Sequence, residues 1–353
     1  MQPGRRRLSV VLPVYRVQQY LPQCLDSVLA ASAEDLEVIA VDDASPDDCG
    51  QILDERAAAD PRLQVIHLPV NGGPGNARNV GLDRATGDYL WFIDGDDLVA
   101  DGAVEAITGR LAARQPDVLL IDYEHLYPAG QTRPSPGRQL LAAAPAATFT
   151  LAQQPAMVDL AMPAWGRVFS RAFLAELGVR YAPGIHEDVL VSIVTMLAAN
   201  RIAVLDRVCY RYRSRRGSFM ASTSSGNLAI FDAYQQVFEF LAKREAAATA
   251  EVTPVLRTAL FERAIWHYST VLQSGGIGIG PVGRSGLVPR RERHRFFARM
   301  HADFVRYAPP GYQRPRGFRG AKFRLIERDS YWPYELLEPV NKARVALRRR
   351  ISG

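Results

Sequence analysis

Across the first ~125 residues, five apolar runs rich in β-branched side chains alternate with four stretches of helical periodicity. The runs span 8–14, 36–41, 63–68, 89–93 and 118–121; the helical stretches span 18–31, 47–59, 76–84 and 102–113. Strands that alternate with helices pair in parallel, because each helix carries the chain back to the same end of the sheet. Runs such as Leu8-Ser9-Val10-Val11-Leu12 are nearly apolar throughout, as expected of strands covered on both faces. The chain therefore reads as α/β, with a mostly parallel central sheet and helices on both faces. In such a sheet ligands bind at the carboxyl ends of the strands.

Acids stand at two of those ends. The fourth run closes on Ile93-Asp94-Gly95-Asp96-Asp97. Three adjacent carboxylates repel one another unless a positive group joins them. Hard oxygen donors in an Asp-x-Asp pattern suit Mg²⁺ or Mn²⁺ shared with a substrate's phosphates. A solvated acidic turn is the alternative for that motif alone. The second run ends in Val41-Asp42-Asp43-Ala44-Ser45, where a carboxylate can accept from a base imide and Ser45 can cap the next helix. The first ends in Pro13-Val14-Tyr15, leaving an aromatic ring at the sheet edge. After the third run, Asn71-Gly72-Gly73-Pro74-Gly75 opens a helix that carries Arg78, combining close backbone approach, an anion-favouring N-terminus and a cation. Gly73-x-Gly75 resembles the start of a dinucleotide fingerprint, but that reading is weak, because Arg78 replaces its third glycine and the turn follows the third strand.

Length fits one α/β domain plus additions: the α/β domain over 1–220 and a helical extension over 221–353, basic from about 281. Residues 281–353 hold 18 Lys+Arg against 6 Asp+Glu, whereas residues 1–280 hold 25 against 31. Such a tail suits an anionic membrane surface, polymer or nucleic acid, or is a solvated face. No nucleic-acid recognition motif accompanies it. Aromatic stripes such as Phe231, Tyr234 and Phe238 read as core. The glycine-rich 274–283 segment lacks the Lys and Ser/Thr of a phosphate-binding loop. Cys24, Cys49 and Cys209 have neither metal-ligand spacing nor an even count, which points to a reducing compartment without disulfides. Arg5-Arg6-Arg7 precedes an apolar run too short, and too soon broken by Pro13, for a signal peptide. No run reaches the ~20 residues of a membrane span.

Taken in order, Pro13/Tyr15, Val41-Asp42-Asp43-Ala44-Ser45, Asn71-Gly72-Gly73 with Ala77-Arg78-Asn79 and Gly81, and Phe92-Ile93-Asp94-Gly95-Asp96-Asp97 resemble family 2 glycosyltransferases, over roughly residues 8–215. The resemblance implies a Rossmann-like GT-A fold and inverting, metal-dependent transfer from a nucleotide sugar, usually a UDP-sugar, to a hydroxyl. It implies a nucleotide-sugar pocket of Pro13, Tyr15, Asp43, Asn71, Gly72, Arg78, Asp94 and Asp96. Within it, Asp43 holds the base and Arg78 approaches uracil or diphosphate. Asp96 is the first metal ligand for Mn²⁺ or Mg²⁺, with Asp94 nearer the ribose or sugar. The family's catalytic base falls in a later Glu-Asp pair, here Glu187-Asp188, with Asp188 first and Glu187 second. His186 and Trp165 fall on the acceptor side; Trp165 is either a sugar platform or core. Arg213 and Arg216 sit in a segment similar to the Arg-rich loop that closes over the diphosphate. Segments around Pro309-Pro310-Gly311-Tyr312 and Leu337-Glu338-Pro339-Val340-Asn341 resemble actinobacterial glycosyltransferases that act in wall-polymer synthesis.

The implied partners are a nucleotide-sugar donor and a polysaccharide, glycolipid or anionic wall-polymer acceptor. A membrane surface met through the basic C-terminus and a second copy of the chain are further partners. The implied place is cytoplasmic, at the inner face of the plasma membrane. A sugar nucleotidyltransferase is the rival enzyme, but Pro13-Val14-Tyr15-Arg16 replaces the Gly-rich loop it needs after the first strand. A non-catalytic, polymer-binding scaffold is the rival without chemistry.

Overall fold

The computed structural model describes residues 7–32, 35–160, 163–214, 225–247, 252–273 and 287–337. Arg216, the 274–283 segment and residues 338–353 of the basic extension lie outside them. The chain forms two compact units, one of residues 1–215 with 239–251, the other of 216–238 with 252–353.

The first unit is built on a sheet whose strands run β1 (Leu8–Val14), β2 (Leu36–Asp42), β3 (Leu63–His67), β4 (Tyr89–Phe92), β5 (Leu98–Val99), β6 (Val118–Leu126), β7 (Thr132–Pro134), β8 (Arg167–Ser170) and β9 (Ile202–Arg213). Their spatial order is β3-β2-β1-β4-β8-β6-β9-β5, with β7 on β6. β3, β2, β1 and β4 pair in parallel, as their intervening helices require: α1 (Leu21–Leu29), α2 (Cys49–Ala59) and α3 (Gly73–Arg84). Every residue of β2 is buried, so its apolar run has no polar face to show. β8 then enters antiparallel between β4 and β6. The sheet is thus parallel on one side and mixed on the other. β6 and β9 pair in parallel with register shifts at Asp122, and β9 ends beside the β4–β5 turn through its pairing with β5.

Because β1 lies between β2 and β4, the strand order reverses at β1. The turns after β1, β2 and β4 therefore share one rim. Three further helices, α4 (Ala103–Arg114), α5 (Arg138–Ala142) and α6 (Arg171–Leu177), follow before α7 (Glu187–Ala198), which brings a Glu-Asp pair to its first turn.

The second unit is helical, with α8 (Ala229–Ala246, only in part within it), α9 (Pro254–Gln273), α10 (Arg293–Tyr307) and α11 (Gly317–Glu327), then a helical turn over 331–337. Phe231, Tyr234 and Phe238 are core, as their stripe predicts. Phe231 packs against Phe296 at 4.6 Å, and Phe261 against Phe304 at 5.0 Å. Tyr268 donates to the buried Asp303 at 2.9 Å, which satisfies an acid set in apolar surroundings.

Candidate active site

The acidic turn after β4 is held from β9. The buried Tyr210 hydroxyl donates to Asp97 Oδ2 at 2.6 Å and accepts from the Asp94 amide at 3.0 Å. Asp97 Oδ1 accepts from the Arg213 amide at 2.7 Å, and the Arg213 guanidinium donates to the Asp96 carbonyl at 2.8 Å. Asp97 is therefore a buried strut, turned toward β9. Asp94 and Asp96 remain partly open to solvent. Burial, with the Asp96 and Asp94 carboxylates, holds the Asp97 carboxyl well above its usual range. Burial and the same three acids push the Cys24 thiol up, its sulfur lying 3.5 Å from the Asp94 carbonyl.

Among the described residues, no three His, Cys, Asp or Glu side chains gather into a metal cage. Asp94 and Asp96 are the two partly open carboxylates of this turn, the hard oxygen donors that would hold a divalent ion.

Arg78 connects this turn to the Glu-Asp pair. It is 5% exposed; one nitrogen donates to Asp94 Oδ1 at 2.8 Å and another to Glu187 Oε1 at 2.6 Å. Burial opposes its charge, but the Asp94 and Glu187 carboxylates more than offset that and hold it protonated. Its guanidinium lies 5.5 Å from the centre of the Tyr181 ring. Glu187 is consequently committed to Arg78. Asp188 beside it is partly accessible, and burial and the Glu187 carboxylate push its carboxyl up to about 7.

Two features bring α7 to α3. Asn79 pairs its side-chain amide with the backbone of Tyr181, donating at 2.9 Å and accepting at 3.0 Å. At Gly75 a Cβ would stand 2.4 Å from the Ala182 carbonyl, so only glycine allows this approach. His186 caps α7 in left-handed conformation (φ 66°) and is 3% exposed.

At the neighbouring rim, the Asp43 carboxylate accepts the amides of Gly72 and Gly73 at 2.8 and 2.7 Å, and its carbonyl accepts from Asn71 at 3.1 Å. The residue expected to hold a base thus holds the glycine turn, with a further lone pair on each oxygen. Ser45 does not cap α2: it accepts from the Arg16 amide at 2.8 Å and donates to Asp47. Pro13 is half-buried in β1, and Tyr15 stands 40% exposed at its end with the Arg16 guanidinium 5.4 Å from its ring centre. Arg213 donates to Gln23 at 3.0 Å and covers the Tyr20 ring.

Trp165 departs from the acceptor-side expectation. Its ring is 5% exposed, stacked on Tyr210 at 4.4 Å and 13° and edge-on to Tyr123 at 4.6 Å. The ring backs the tyrosine that carries the acidic turn and presents no face to a sugar. Sequence reasoning also left Tyr210 and Asn79 without roles. Asn79 stands inside the Ala77-Arg78-Asn79 motif, and that was the signal available.

Residues 9–148 match the profile of Glycosyl transferase family 2. The chain is 38% identical over 112 residues to the uncharacterized glycosyltransferase EpsJ of Bacillus subtilis (strain 168), covering 32% of each. It is 29% identical over 222 residues to the poly(ribitol-phosphate) beta-N-acetylglucosaminyltransferase TarS of Staphylococcus aureus (strain Mu50), covering 61% of this chain and 37% of TarS. It spans about a third of the length of the curated relatives it matches. The crystal structure of S. aureus TarS 1–349 in complex with UDP-GlcNAc shares the fold, with TM-score 0.72 over 96% of this chain and 92% of that one at 20% identity.

Proposed function

Because residues 9–148 form a domain of glycosyl transferase family 2, in a chain with the GT-A fold, we propose that this chain transfers a sugar, with inversion, from a UDP-sugar to a hydroxyl of a wall glycopolymer. The acceptor class follows the relative named as a poly(ribitol-phosphate) transferase, and the donor class the UDP-GlcNAc held by its structure. The observation that carries the reading is the Arg78 clamp, which ties the Asp94 turn to Glu187 and leaves Asp188 beside it unclamped.

The nucleoside lies along Pro13, Tyr15, Asp43 and the Asn71–Gly72 turn, and the diphosphate lies over the Asp94–Asp96 turn. Asp188 accepts the proton of the acceptor hydroxyl as its oxygen attacks the anomeric carbon. The bond from that carbon to the diphosphate oxygen breaks on the opposite face, so the configuration inverts. A carboxyl poised near neutrality suits this task better than one of ordinary acidity, since it both takes a proton and is ionised at working pH. Glu187, locked to Arg78, orients the pair. Asp94 and Asp96 would hold a Mn²⁺ or Mg²⁺, which would supply positive charge to stabilise the leaving diphosphate.

No helix among the described residues is long and apolar enough to cross a membrane. We place the enzyme peripherally at the cytoplasmic face of the plasma membrane, where a nucleotide sugar and a growing anionic polymer meet.

The test is nucleoside diphosphate release from UDP-, GDP-, dTDP- and CDP-sugars with a wall-polymer acceptor, in Mn²⁺, Mg²⁺ or EDTA. Release from a UDP-sugar that needs the metal and is lost in Asp96→Ala supports the reading. Pyrophosphate release, or full activity in Asp96→Ala, refutes it.

A further inference from the structure

The surface of the second unit joins cations to exposed apolar groups at one place. Among the described residues, 287–337 hold 12 Lys+Arg against 5 Asp+Glu. Helix 331–337 packs on the start of α10: Tyr331 lies 5.5 Å from Phe297, Tyr334 lies 4.9 Å from Phe297, and Glu335 pairs with Arg293 at 2.8 Å. These contacts use one face of the helix. Trp332 and Leu336, one turn apart, stand 72% and 64% exposed. The other large apolar side chains exposed in the described residues, Tyr15, Val70, Val255 and Val305, lie far apart in sequence.

Cations stand on the elements packed against or leading into this helix. Tyr331 bridges the exposed His294 at 5.0 Å and Trp332 at 5.1 Å. Arg290, Arg291 and Arg295 stand exposed at the same end of α10, and Arg328 is exposed one turn before Tyr331. Arg291 is 83% exposed, and its pairing with Glu292 at 3.7 Å is weak. Arg290, Arg295 and Arg328 have no acidic side chain within ion-pair distance among the described residues.

We propose that Trp332 and Leu336, flanked by Arg290, Arg291, Arg295 and Arg328, dock this chain onto an anionic phospholipid bilayer. A phosphodiester polymer or a nucleic acid would recruit the arginines but give Leu336 no apolar environment. A bilayer provides one for both side chains. Tryptophan favours the level of the headgroups, leucine reaches the acyl boundary, and arginines meet the lipid phosphates. The inference rests on the membrane-face reading proposed above and assigns the residues that make the contact. Each arginine is expected to strengthen partitioning about fivefold.

The full chain is mixed with phosphatidylcholine vesicles with or without phosphatidylglycerol, and binding is measured by flotation. Brominated acyl chains report, through quenching, which tryptophans enter the bilayer. The expected result is salt-sensitive binding to the anionic vesicles only. Trp332→Ala with Leu336→Ser should weaken it at least about tenfold. Quenching should disappear in Trp332→Phe. Arg290→Glu with Arg295→Glu should weaken binding more than about twentyfold. Four results overturn the proposal: no binding to anionic vesicles, equal binding to neutral ones, indifference to Trp332 and Leu336, or capture of a soluble polyphosphate by these arginines while vesicles are ignored. UDP release with a soluble acceptor is followed in the same variants. Vesicle binding absent from the parent chain, with release intact, removes this inference alone. Release absent from the parent chain, with vesicle binding present, removes the transferase reading instead.

Discussion

Removing Arg78 tests whether the site is held together by charge. In Arg78→Met the apolar stem is kept and the guanidinium lost. Glu187, whose side chain is 9% exposed, is then a buried carboxylate without its cation, and Asp94, 30% exposed, loses a partner that solvent can partly replace. Breaking a buried pair from one side costs about 3–5 kcal/mol, and the more exposed half adds less than about 1 kcal/mol. For a unit of this size each kcal/mol lowers Tm by about 2–4 °C, so the loss should be near 10 °C. Glu187→Gln in the same chain removes the stranded charge. Arg78→Met/Glu187→Gln should therefore be more stable than Arg78→Met by about 2 kcal/mol, measured by urea unfolding of all four chains. If the two single costs add to within about 0.5 kcal/mol, the residues do not act as a pair and the clamp is not what fixes Glu187. Transfer should be lost in both Arg78 variants, since neither restores the link to Asp94.

Asp188→Asn should abolish transfer while leaving UDP-sugar binding intact by calorimetry. In the parent chain kcat should fall as pH drops through about 7, because a base must be ionised to accept a proton. The raised carboxyl also makes the folded chain bind that proton more tightly than the unfolded one. Its share of stability should therefore be complete below about pH 4 and lost as pH rises through about 7, which pH-dependent unfolding would show. Tyr210→Phe leaves Asp97 and the Asp94 amide without their shared hydroxyl; about 2–3 kcal/mol should be lost, with metal-dependent UDP binding weakened. Gly75→Ala drives a methyl into the Ala182 carbonyl, so α3 and α7 must part; about 1–3 kcal/mol of stability and most of kcat should go, with Gly81→Ala against Val11 as a clash outside the site.

The parallel half of the sheet is legible in the sequence because β1, β2 and β4 are largely apolar and helix-length segments separate β1, β2, β3 and β4. The mixed half is not. β8 is four residues long with a fully buried arginine, and β9 carries Asp206, Arg207, Arg211 and Arg213, so neither reads as a core strand. Asp94, Asp96, Arg78 and the Glu187-Asp188 pair are named together through the family resemblance, and the structure joins Arg78, Asp94 and Glu187. What each side chain touches is not legible in the sequence. The commitment of Asp43 to Gly72 and Gly73, of Glu187 to Arg78 and of Asp97 to Tyr210 depends on partners 29 to 113 residues away. Trp165 shows the limit most sharply: its identity suits a sugar platform and a core equally, and only the positions of Tyr123 and Tyr210 decide.

Those long separations bear on how the chain is born. The bonds that complete the acidic turn come from Tyr210 and Arg213, over 100 residues downstream of Asp97. A polypeptide emerging from the ribosome can therefore pair β1, β2, β3 and β4 long before Asp97 has its strut, and the ends of such wide loops close late. A chain stalled anywhere short of β9 carries the rim of β1, β2 and β4 without a finished acidic turn. Synthesis itself should thus delay activity until the first unit is whole, and two fragments cut within the exposed 128–134 hairpin should regain it only by reassociating.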